Sequence, residues 1–310
     1  MKPLRKHVAL AIDGGGIKGV MVTRALAMVE EHLSSPAHDW TNLVVGTSTG
    51  SIISAGIAAG LMAQEMHALY VTLGAEVFRS SLRKTLWPLT RYRYSGDLLE
   101  RYLRQYLSDV RLSKLREGPA PVDLVITAFD LIENRTLFIK PWKPDYADWS
   151  LVKAVLASCT VPTYFPLVDG RYVDGGVGSY ANPCYVAAYE ASRILGWDLQ
   201  ETTLISLGTG RSPHGLNAER IHKFRAWQWL EPILGAFMQS ADDQQVHLVD
   251  TFFEGLDFRR FQVDLHEAIA MDDPIRIPEL TAYGEELGRK ILNDEFDRAM
   301  DITPALPAER

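Results

Sequence analysis

Two glycine-framed segments near the N-terminus contain residues that could do chemistry, and each follows a short apolar run. The first reads Asp13-Gly14-Gly15-Gly16-Ile17-Lys18-Gly19, and the second reads Gly46-Thr47-Ser48-Thr49-Gly50. The second has the G-x-S-x-G spacing of a nucleophile elbow, in which a strained turn between a strand and a helix exposes a serine hydroxyl. Together the two segments predict a serine acyl hydrolase with Ser48 as its nucleophile.

The residues around Ser48 suit such a turn. Neighbouring chain passes close to the nucleophile on both sides, so Gly46 and Gly50 avoid a Cβ that would collide. Residues 51–60 are small and mostly apolar, which predicts a helix buried against a sheet. The first turn of that helix would direct free N–H groups and the positive end of its dipole at Ser48, which favours negative charge near the hydroxyl.

The three consecutive glycines Gly14, Gly15 and Gly16 also lie between a predicted strand and a predicted helix, here over residues 20–33. Consecutive glycines can turn their backbone N–H groups into a concavity that binds an anion. Beside Ser48, such a concavity would bind the oxyanion of a tetrahedral intermediate. Loss of one donor of this kind costs about 10²–10³ in rate.

The same loop is compatible with a different class of protein. Gly14-x-Gly16-x-x-Gly19 satisfies the dinucleotide-binding fingerprint in a strand–turn–helix context. That fingerprint also requires an acidic residue at the end of the next strand. This chain has Gly46 there, and Asp39 precedes the strand. A non-catalytic phosphate- or nucleotide-binding module that uses residues 14–19 is therefore one alternative.

The base that would activate Ser48 is not an evident histidine. Asp174 is the stronger candidate, because it ends a short predicted strand that leads into Gly175 and Gly176; its alternative role is that of a turn aspartate. Most serine hydrolases use a histidine, so a Ser–His–Asp lipase or esterase of the α/β-hydrolase fold is the rival enzyme. Its candidate bases are His214, which follows a predicted strand and a glycine turn, and His222, His247 and His266.

Four motifs in this chain resemble, in order and spacing, those of the patatin-like phospholipases, over about residues 5–265. That family carries D-G-G-G-x-R-G, then G-x-S-x-G, then a segment like A-S-x-A-x-P that ends in an aromatic residue and proline, then D-G-G or D-G-A. The corresponding stretches here are residues 13–19, 46–50, 157–166 and 174–176. The resemblance implies phospholipase A activity on the acyl esters of phospholipids or related lipids.

The resemblance also implies which residues act. Ser48 and Asp174 would form a dyad without histidine, and the backbone around Gly14, Gly15 and Gly16 would form the oxyanion hole. Two positions depart from the family pattern: Lys18 replaces the usual arginine, which keeps the charge but loses the rigid fork, and Thr160 stands where alanine is usual. The residues expected to support the site are Lys18, Gly46, Gly50, Gly175 and Gly176.

A Ser–Asp dyad poses a problem of basicity. A free aspartate has a pKa near 3.9 and is a weak base toward a serine hydroxyl. Burial of Asp174 in an apolar cleft would raise its proton affinity, and oxyanion stabilisation would supply much of the rest. No cofactor is expected, and no metal, since no Cys, His and carboxylate cluster has ligand spacing.

Continuous apolar runs that alternate with helical patterns predict the fold. Residues 124–129 and 204–207 are typical of strands covered on both faces. The alternation predicts a three-layer α/β/α sandwich with a mostly parallel central sheet. No Pro-, Gly- or Ser-rich linker divides the 310 residues, so we expect a single domain over residues 1–310 with a C-terminal helical tail from about residue 271 to 310.

Composition restricts the partners and the compartment. A net charge of −7 argues against a general nucleic-acid role. The two cysteines, Cys159 and Cys184, give no disulfide framework, which favours a reducing, cytoplasmic location. No stretch is long enough to span a bilayer, so the expected partner is a lipid or membrane-surface substrate reached peripherally. The oligomeric state is not indicated.

A segment over residues 79–104 is a candidate for docking on that surface. Its cations could meet anionic headgroups while its aromatic rings lie at the interface; an ordinary solvated helix and loop is the alternative. The basic residues are Arg79, Arg83, Lys84, Arg91, Arg93, Arg101 and Arg104, and the aromatic residues in and next to the segment are Phe78, Trp87, Tyr92, Tyr94, Tyr102 and Tyr106.

Overall fold

The structure is a computed structural model that describes residues 1–79, 91–108, 110–118, 120–213, 222 and 224–297. Its strands are β1 (His7–Ile12), β2 (Leu43–Thr47), β3 (Asp123–Asp130), β4 (Arg135–Ile139), β5 (Tyr172–Asp174), β6 (Thr202–Leu207) and β7 (Asp257–Phe261). Its α-helices are α1 (Gly19–Leu33), α2 (Ala37–Trp40), α3 (Thr49–Ala58), α4 (Ala63–Glu76), α5 (Gly96–Leu107), α6 (Leu151–Cys159), α7 (Cys184–Tyr189), α8 (Leu230–Phe252) and α9 (Ile277–Leu292).

The strands form one mostly parallel sheet in the order β4-β3-β2-β1-β6-β7. Strands β3, β2, β1, β6 and β7 run parallel to one another, and β4 is antiparallel to β3. Every residue of β2 and of β6 is buried, which explains why these strands read as continuous apolar or small-residue runs. The carboxyl ends of the parallel strands therefore meet along one edge of the sheet.

Both faces of the sheet are covered by helices. On β1, Leu10 faces the larger core, which includes side chains of α1, α3, α4, α6 and α9. Its neighbours Ala9 and Ala11 face a second core, which includes Ala187 of α7 and Val249 of α8. Successive strand residues point to opposite faces, so this division defines three layers. The predicted α/β/α sandwich is confirmed.

Strand β5 occupies an unusual place that decides where Asp174 lies. It pairs antiparallel with residues 128–130 of β3, and β4 pairs with the same residues. A strand has two edges, and β4 occupies one edge of β3. Strand β5 must therefore lie on the other edge, the one that pairs with β2 up to Thr47, which is opposite Thr127. Strand β5 thus continues the line of β2 end to end and runs toward it.

The C-terminal region is more than a peripheral tail. Within the predicted helical tail, α9 begins at Ile277, ends at Leu292 and packs along α1. A Cβ at Gly284 would overlap the Met21 backbone, and one at Gly288 would overlap the Met28 side chain. The two glycines therefore allow α9 to approach α1 closely, and α9 is part of the larger core.

Candidate active site

Ser48 stands at the turn between β2 and α3 with φ +53° and ψ −123°. A non-glycine residue rarely adopts such backbone angles unless its surroundings impose them. Here the Ser48 N–H donates to Ser158 Oγ at 2.8 Å, and its carbonyl accepts from Ser51 Oγ at 2.6 Å and from Cys159 Sγ at 3.1 Å. These hydrogen bonds hold the strained turn and leave the Ser48 side chain at the carboxyl edge of the sheet.

The two glycines that frame Ser48 permit a close approach of backbone to backbone. A Cβ on Gly46 would overlap the carbonyl of Gly50, and a Cβ on Gly50 would overlap the carbonyl of Ile12. Any side chain at either position would push α3 away from β1 and β2. The two glycines therefore fix how close α3, and with it Ser48, lies to β1 and β2.

Asp174 reaches Ser48 because of the strand register. It ends β5 opposite Ala128, one residue beyond the pair of Thr127 with Thr47. Since β5 continues the line of β2, the last residue of β5 meets the residue that follows β2, which is Ser48. Gly175 has no room for a Cβ against Thr127, so the chain can turn away directly after the carboxylate.

The environment of Asp174 alters its acidity. Burial raises the pKa of its carboxyl from 3.8 to about 6, and the Ser48 hydroxyl and the Gly176 N–H oppose this rise. Oδ1 accepts the Gly176 N–H at 2.8 Å, whereas Oδ2 is buried without a hydrogen-bond partner of good geometry among the described residues. The serine is thus close enough to lower the pKa of the carboxyl, without a well-formed hydrogen bond to it.

The glycine loop lies directly against Ser48. A Cβ built on Gly14 would be 3.2 Å from Ser48 Cβ. The Gly14 N–H donates to the Ala181 carbonyl at 2.8 Å, so it is already used within the fold. The N–H groups of Gly15 and Gly16 have no partner in the part of the chain that the structure describes. They are the two donors of this loop that remain for a ligand.

Lys18 ends the 3₁₀ turn Gly16–Lys18 that follows these amides. Burial lowers the pKa of its ammonium group, and the carboxylate of Asp13 partly restores it. Within the described residues no salt bridge involves Lys18. Its charge therefore acts on the glycine loop across space instead of through a direct ion pair.

Ser48 opens into a narrow apolar cleft. The cleft is built from α3, α4, α5, α6 and the segments that follow α6 and precede α9. An apolar lining of this kind favours an apolar ligand over a polar one. The residues lining it besides Ser48 are Gly16, Thr49, Ile52, Tyr70, Leu73, Phe78, Leu99, Cys159, Val161, Tyr164, Phe165 and Met271.

Several of these lining residues had no signal in the sequence. Met271 belongs to the region predicted to be a tail, yet its carbonyl accepts the Ile17 N–H at 2.8 Å and leaves no room for a Cβ on Gly16. Tyr70 hydrogen-bonds to Thr49, the residue after the nucleophile. Neither position belongs to a motif, so only the tertiary structure identifies them.

Two of the predicted membrane-docking residues face inward. Tyr94 is buried and donates to Asp272 Oδ2 at 2.7 Å. The Arg93 guanidinium lies 3.6 Å from the same carboxylate and covers the Tyr164 ring. These contacts join the segment before α5 to the mouth of the cleft, so the prediction was wrong for Arg93 and Tyr94. Arg83, Lys84 and Trp87 lie outside the described residues.

The rival assignment of the base finds no support near Ser48. Among the described histidines, none lines the cleft or hydrogen-bonds to Ser48. The ring of His266 contacts that of Tyr283 at a tilt of 56°, His222 is exposed, and His214 lies outside the described residues. In the same part of the chain, no group of three His, Cys, Asp or Glu side chains could hold a metal ion.

A strained serine at the carboxyl edge of a parallel sheet, next to a buried carboxyl and free glycine amides, defines the class of α/β proteins with a nucleophile-elbow site. The sequence pattern described as patatin-like phospholipase matches residues 10–188, which is more than half of the chain. The chain therefore belongs to the patatin-like phospholipase family.

Three of the curated relatives are plant proteins. Patatin-1-Kuras 2 from Solanum tuberosum is 26% identical over 289 residues, covering 80% of this chain and 75% of the relative. Patatin-like protein 1 from Oryza sativa subsp. indica is 26% identical over 342 residues, with 91% and 76% covered. Probable inactive patatin-3-Kuras 1 from Solanum tuberosum is 24% identical over 343 residues, with 94% and 89% covered.

Solved structures with a similar arrangement are more distant. VipD from Legionella pneumophila has a TM-score of 0.48 and 12% identity, with 94% of this chain and 67% of that chain covered. The type III effector ExoU has a TM-score of 0.43 and 15% identity, with 94% and 53% covered, so this chain spans about half of ExoU.

Among the described residues, no helix combines the length and apolar character needed to cross a bilayer.

Proposed function

We propose that this protein is a serine acyl hydrolase of the phospholipase A type, which cleaves fatty-acyl ester bonds of phospholipids or related lipids. One observation carries the proposal: Ser48, at a strained turn, lies near the buried carboxyl of Asp174 and against the glycine loop, and it lines an apolar cleft. Membership of the patatin-like phospholipase family supports the same reaction class.

The proposed reaction uses Ser48 and Asp174 as a dyad. Asp174 accepts the hydroxyl proton while Ser48 Oγ attacks the ester carbonyl carbon. The resulting oxyanion accepts hydrogen bonds from the Gly15 and Gly16 N–H groups. Collapse of this intermediate expels the lysolipid oxygen, which takes the proton from Asp174 and leaves an acyl-serine. Asp174 then activates a water molecule that hydrolyses the acyl-enzyme.

The acidity of Asp174 fits this double role. A general base works best when its pKa lies near the working pH. Burial raises the pKa of Asp174 to about 6, so near pH 7 the group is mostly ionised yet far more basic than a free aspartate. Lys18, on the turn after the glycine amides, adds positive charge beside the loop where the oxyanion forms.

The cleft restricts the substrate. Its aromatic and aliphatic walls, among them Phe78, Phe165 and Leu99, suit an acyl chain and offer little to a polar substrate. Such a chain must leave a membrane or micelle surface to enter, so we propose that the protein acts peripherally, from the cytoplasmic side, on lipid assemblies. An acyl chain bound along these walls would bring its ester close to Ser48, which lines the same cleft.

A fluorophosphonate probe and a mixed lipid panel test the proposal. Ser48→Ala should abolish both labelling and release of fatty acid, and Asp174→Asn should lower turnover by about 10²–10⁴-fold, the range for loss of a general base. Ser54→Ala is the matched control, because Ser54 is also buried but lies inside α3, nearly two turns beyond the elbow. It should label and turn over as the unchanged protein does.

Three outcomes would overturn the assignment in different ways. Absence of labelling in the unchanged protein would favour the phosphate-binding module, and one relative is named probable inactive. Loss of turnover in a His214, His222, His247 or His266 variant, with Asp174→Asn still active, would favour the α/β-hydrolase rival. Release of a headgroup instead of a fatty acid would exclude a phospholipase A.

A further inference from the structure

A second buried polar cluster lies beside the glycine loop, and the dyad does not use it. At its centre is Arg260 of β7, whose side chain is 2% exposed. The guanidinium donates to both oxygens of Asp13, at 2.9 and 2.5 Å, to Ser206 Oγ at 2.9 Å and to Asp242 Oδ1 at 2.8 Å. Burial works against this charge, but Asp13 and Asp242 hold the pKa of Arg260 above its ordinary range.

The partners of Arg260 come from separate parts of the fold. Asp13 is the first residue after β1 and begins the glycine loop, Ser206 belongs to β6, and Asp242 belongs to α8. Ser206 is the residue opposite Arg260 in the register of β6 with β7. One side chain therefore joins two strands, one loop and one helix at the carboxyl edge of the sheet.

The cluster extends to the segment that follows Asp174. Asp242 Oδ1 also accepts from Asn182 Nδ2 at 2.6 Å. The neighbouring carbonyl of Ala181 accepts the Gly14 N–H at 2.8 Å. The glycine loop and the segment after Asp174 are thus connected twice: directly by one backbone hydrogen bond, and through Asp13, Arg260 and Asp242.

We propose that Arg260 is a positioning residue, which fixes the glycine loop relative to the Asp174 segment through Asp13 and Asp242. This inference rests on the proposed function, because the distance it fixes is the one between the oxyanion donors and the dyad. Arg260 does not line the cleft and touches no reacting atom. Its influence reaches the reaction only through the residues that it holds.

The shape of the guanidinium explains why arginine is needed. Its planar fork presents five N–H donors, and here they engage two carboxylates and a hydroxyl. A lysine at the same position keeps the charge but has a single nitrogen, which cannot bind both oxygens of Asp13 and also reach Asp242. Arg260→Lys therefore tests the fork separately from the charge.

Arg260→Lys should lower kcat by about 10–100-fold, since a displacement of about 1 Å at a reacting centre costs about 10²-fold. KM should change by less than about twofold, because the walls of the acyl cleft do not contact Arg260. The matched control is Arg259→Lys. Arg259 is the neighbouring buried arginine on β7, bound to Asp257 and to the carbonyls of Lys2 and Pro3. The Arg259→Lys variant should lose about as much thermal stability as Arg260→Lys but keep the kcat of the unchanged protein.

Hydrogen exchange followed by mass spectrometry gives a readout that does not depend on activity. In Arg260→Lys, exchange should rise by about tenfold in peptides covering residues 13–19 and 180–184, and remain unchanged in α9. In Arg259→Lys, neither of those two peptides should change. Exchange that rises evenly over the molecule would mean that Arg260 serves global stability only.

The outcomes separate this inference from the proposed function. Labelling of the unchanged protein that disappears in Ser48→Ala supports the function; unchanged kcat and local exchange in Arg260→Lys would then overturn the positioning role alone. An unlabelled protein would reject the proposed function and, with it, any effect of Arg260 on the rate of that reaction. Local exchange confined to the two peptides would in that case still assign Arg260 as the residue that holds the loop.

Discussion

Two aspartates at the carboxyl edge of the same sheet have opposite surroundings. Asp13 follows β1 and is buried, and both of its oxygens accept hydrogen bonds from the guanidinium of Arg260. Asp174 ends β5 and is buried to the same degree, but its hydrogen bonds come from neutral groups. No basic side chain of the described residues contributes to the pKa of Asp174.

The difference shows how one edge of a sheet can hold a scaffold and a base side by side. Burial raises the pKa of Asp13 and the guanidinium of Arg260 opposes this rise, but both oxygens are engaged by that guanidinium, so Asp13 serves to fix the glycine loop. Burial also raises the pKa of Asp174, which has no cation beside it, and its Oδ2 has no hydrogen-bond partner among the described residues. That rise makes Asp174 useful toward a serine hydroxyl, at a cost in folding free energy.

Removing the cation from the first region should make it resemble the second. Arg260→Met leaves Asp13 and Asp242 buried without the guanidinium that binds them, and breaking a buried ion pair in this way costs about 3–5 kcal/mol. The loss should be largest near pH 8 and smaller near pH 5. The unpaired carboxylates take up protons more readily in the folded variant than in the unfolded chain, so lower pH stabilises it. Urea unfolding at both pH values measures the effect.

Arg259→Met is the control for that measurement. Asp257, its partner, is 21% exposed and can be hydrated when the guanidinium is lost. The control should therefore lose less stability than Arg260→Met, and with a weaker dependence on pH. Equal losses for the two variants would mean that the buried carboxylates beside Arg260 have no special requirement for a cation.

The second region should respond with the opposite sign. The pKa of Asp174 in the folded state, about 6, lies above the ordinary 3.8. The folded protein therefore holds a proton that the unfolded chain has lost between about pH 4 and 6, and the charge costs stability above pH 6. A shift of this size corresponds to about 3 kcal/mol. Asp174→Asn should be more stable than the unchanged protein by up to that amount at pH 8, in urea unfolding.

At pH 4 the same two proteins should have nearly equal stability, because Asp174 is then neutral in the folded state. A constant difference at all pH values would show that the Asn side chain acts by packing instead of by removing a charge. A loss of stability at pH 8 in Asp174→Asn would show that a further group stabilises the Asp174 carboxylate. Asp174 would then resemble Asp13 instead of differing from it.

The rate of ester cleavage should follow the ionisation of Asp174. Only the carboxylate form accepts the Ser48 proton, so kcat/KM should rise about tenfold per pH unit below pH 6 and level off above pH 7. A soluble short-chain ester, assayed from pH 4.5 to 8, measures this without changes in lipid packing. A midpoint near pH 4 would indicate a base exposed to solvent, and a midpoint near pH 7 that moves in a histidine variant would indicate another base.

The sequence alone was sufficient to predict the sheet and its two helical layers, because strand periodicity and turn residues are local properties. Ser48 and Asp174 were identified as candidates from glycine-framed strand ends. Their proximity depends on the register of β5 with β3, which no local pattern records. Whether they form a working dyad stays a prediction, as does the single-domain organisation.

Arg260 could not be found in advance for a physical reason. The β7 sequence Asp257-Phe-Arg-Arg-Phe261 places two arginines in succession, which usually indicates a solvated strand. Here Arg259 and Arg260 point to opposite faces and both are buried. Arg260 is neutralised by Asp13 and Asp242 from distant parts of the chain, whereas Arg259 is neutralised by Asp257 two residues before it. Arg93 and Tyr94 were misjudged in the same way: their partner, Asp272, is distant in sequence.

The smallest expected effect concerns the backbone conformation of Ser48. Ser48 has φ +53° and ψ −123°, which glycine adopts far more readily than alanine. Ser48→Gly should therefore be more stable than Ser48→Ala by about 1 kcal/mol, although neither variant can be labelled by a fluorophosphonate. At Ser54, inside α3, the order should reverse, since glycine in a helix is about 1 kcal/mol less stable than alanine. Thermal unfolding of the four variants measures both differences. The same order at both positions would show that the elbow is unstrained. The Ser48 hydroxyl would then be positioned beside Asp174 without stored backbone energy.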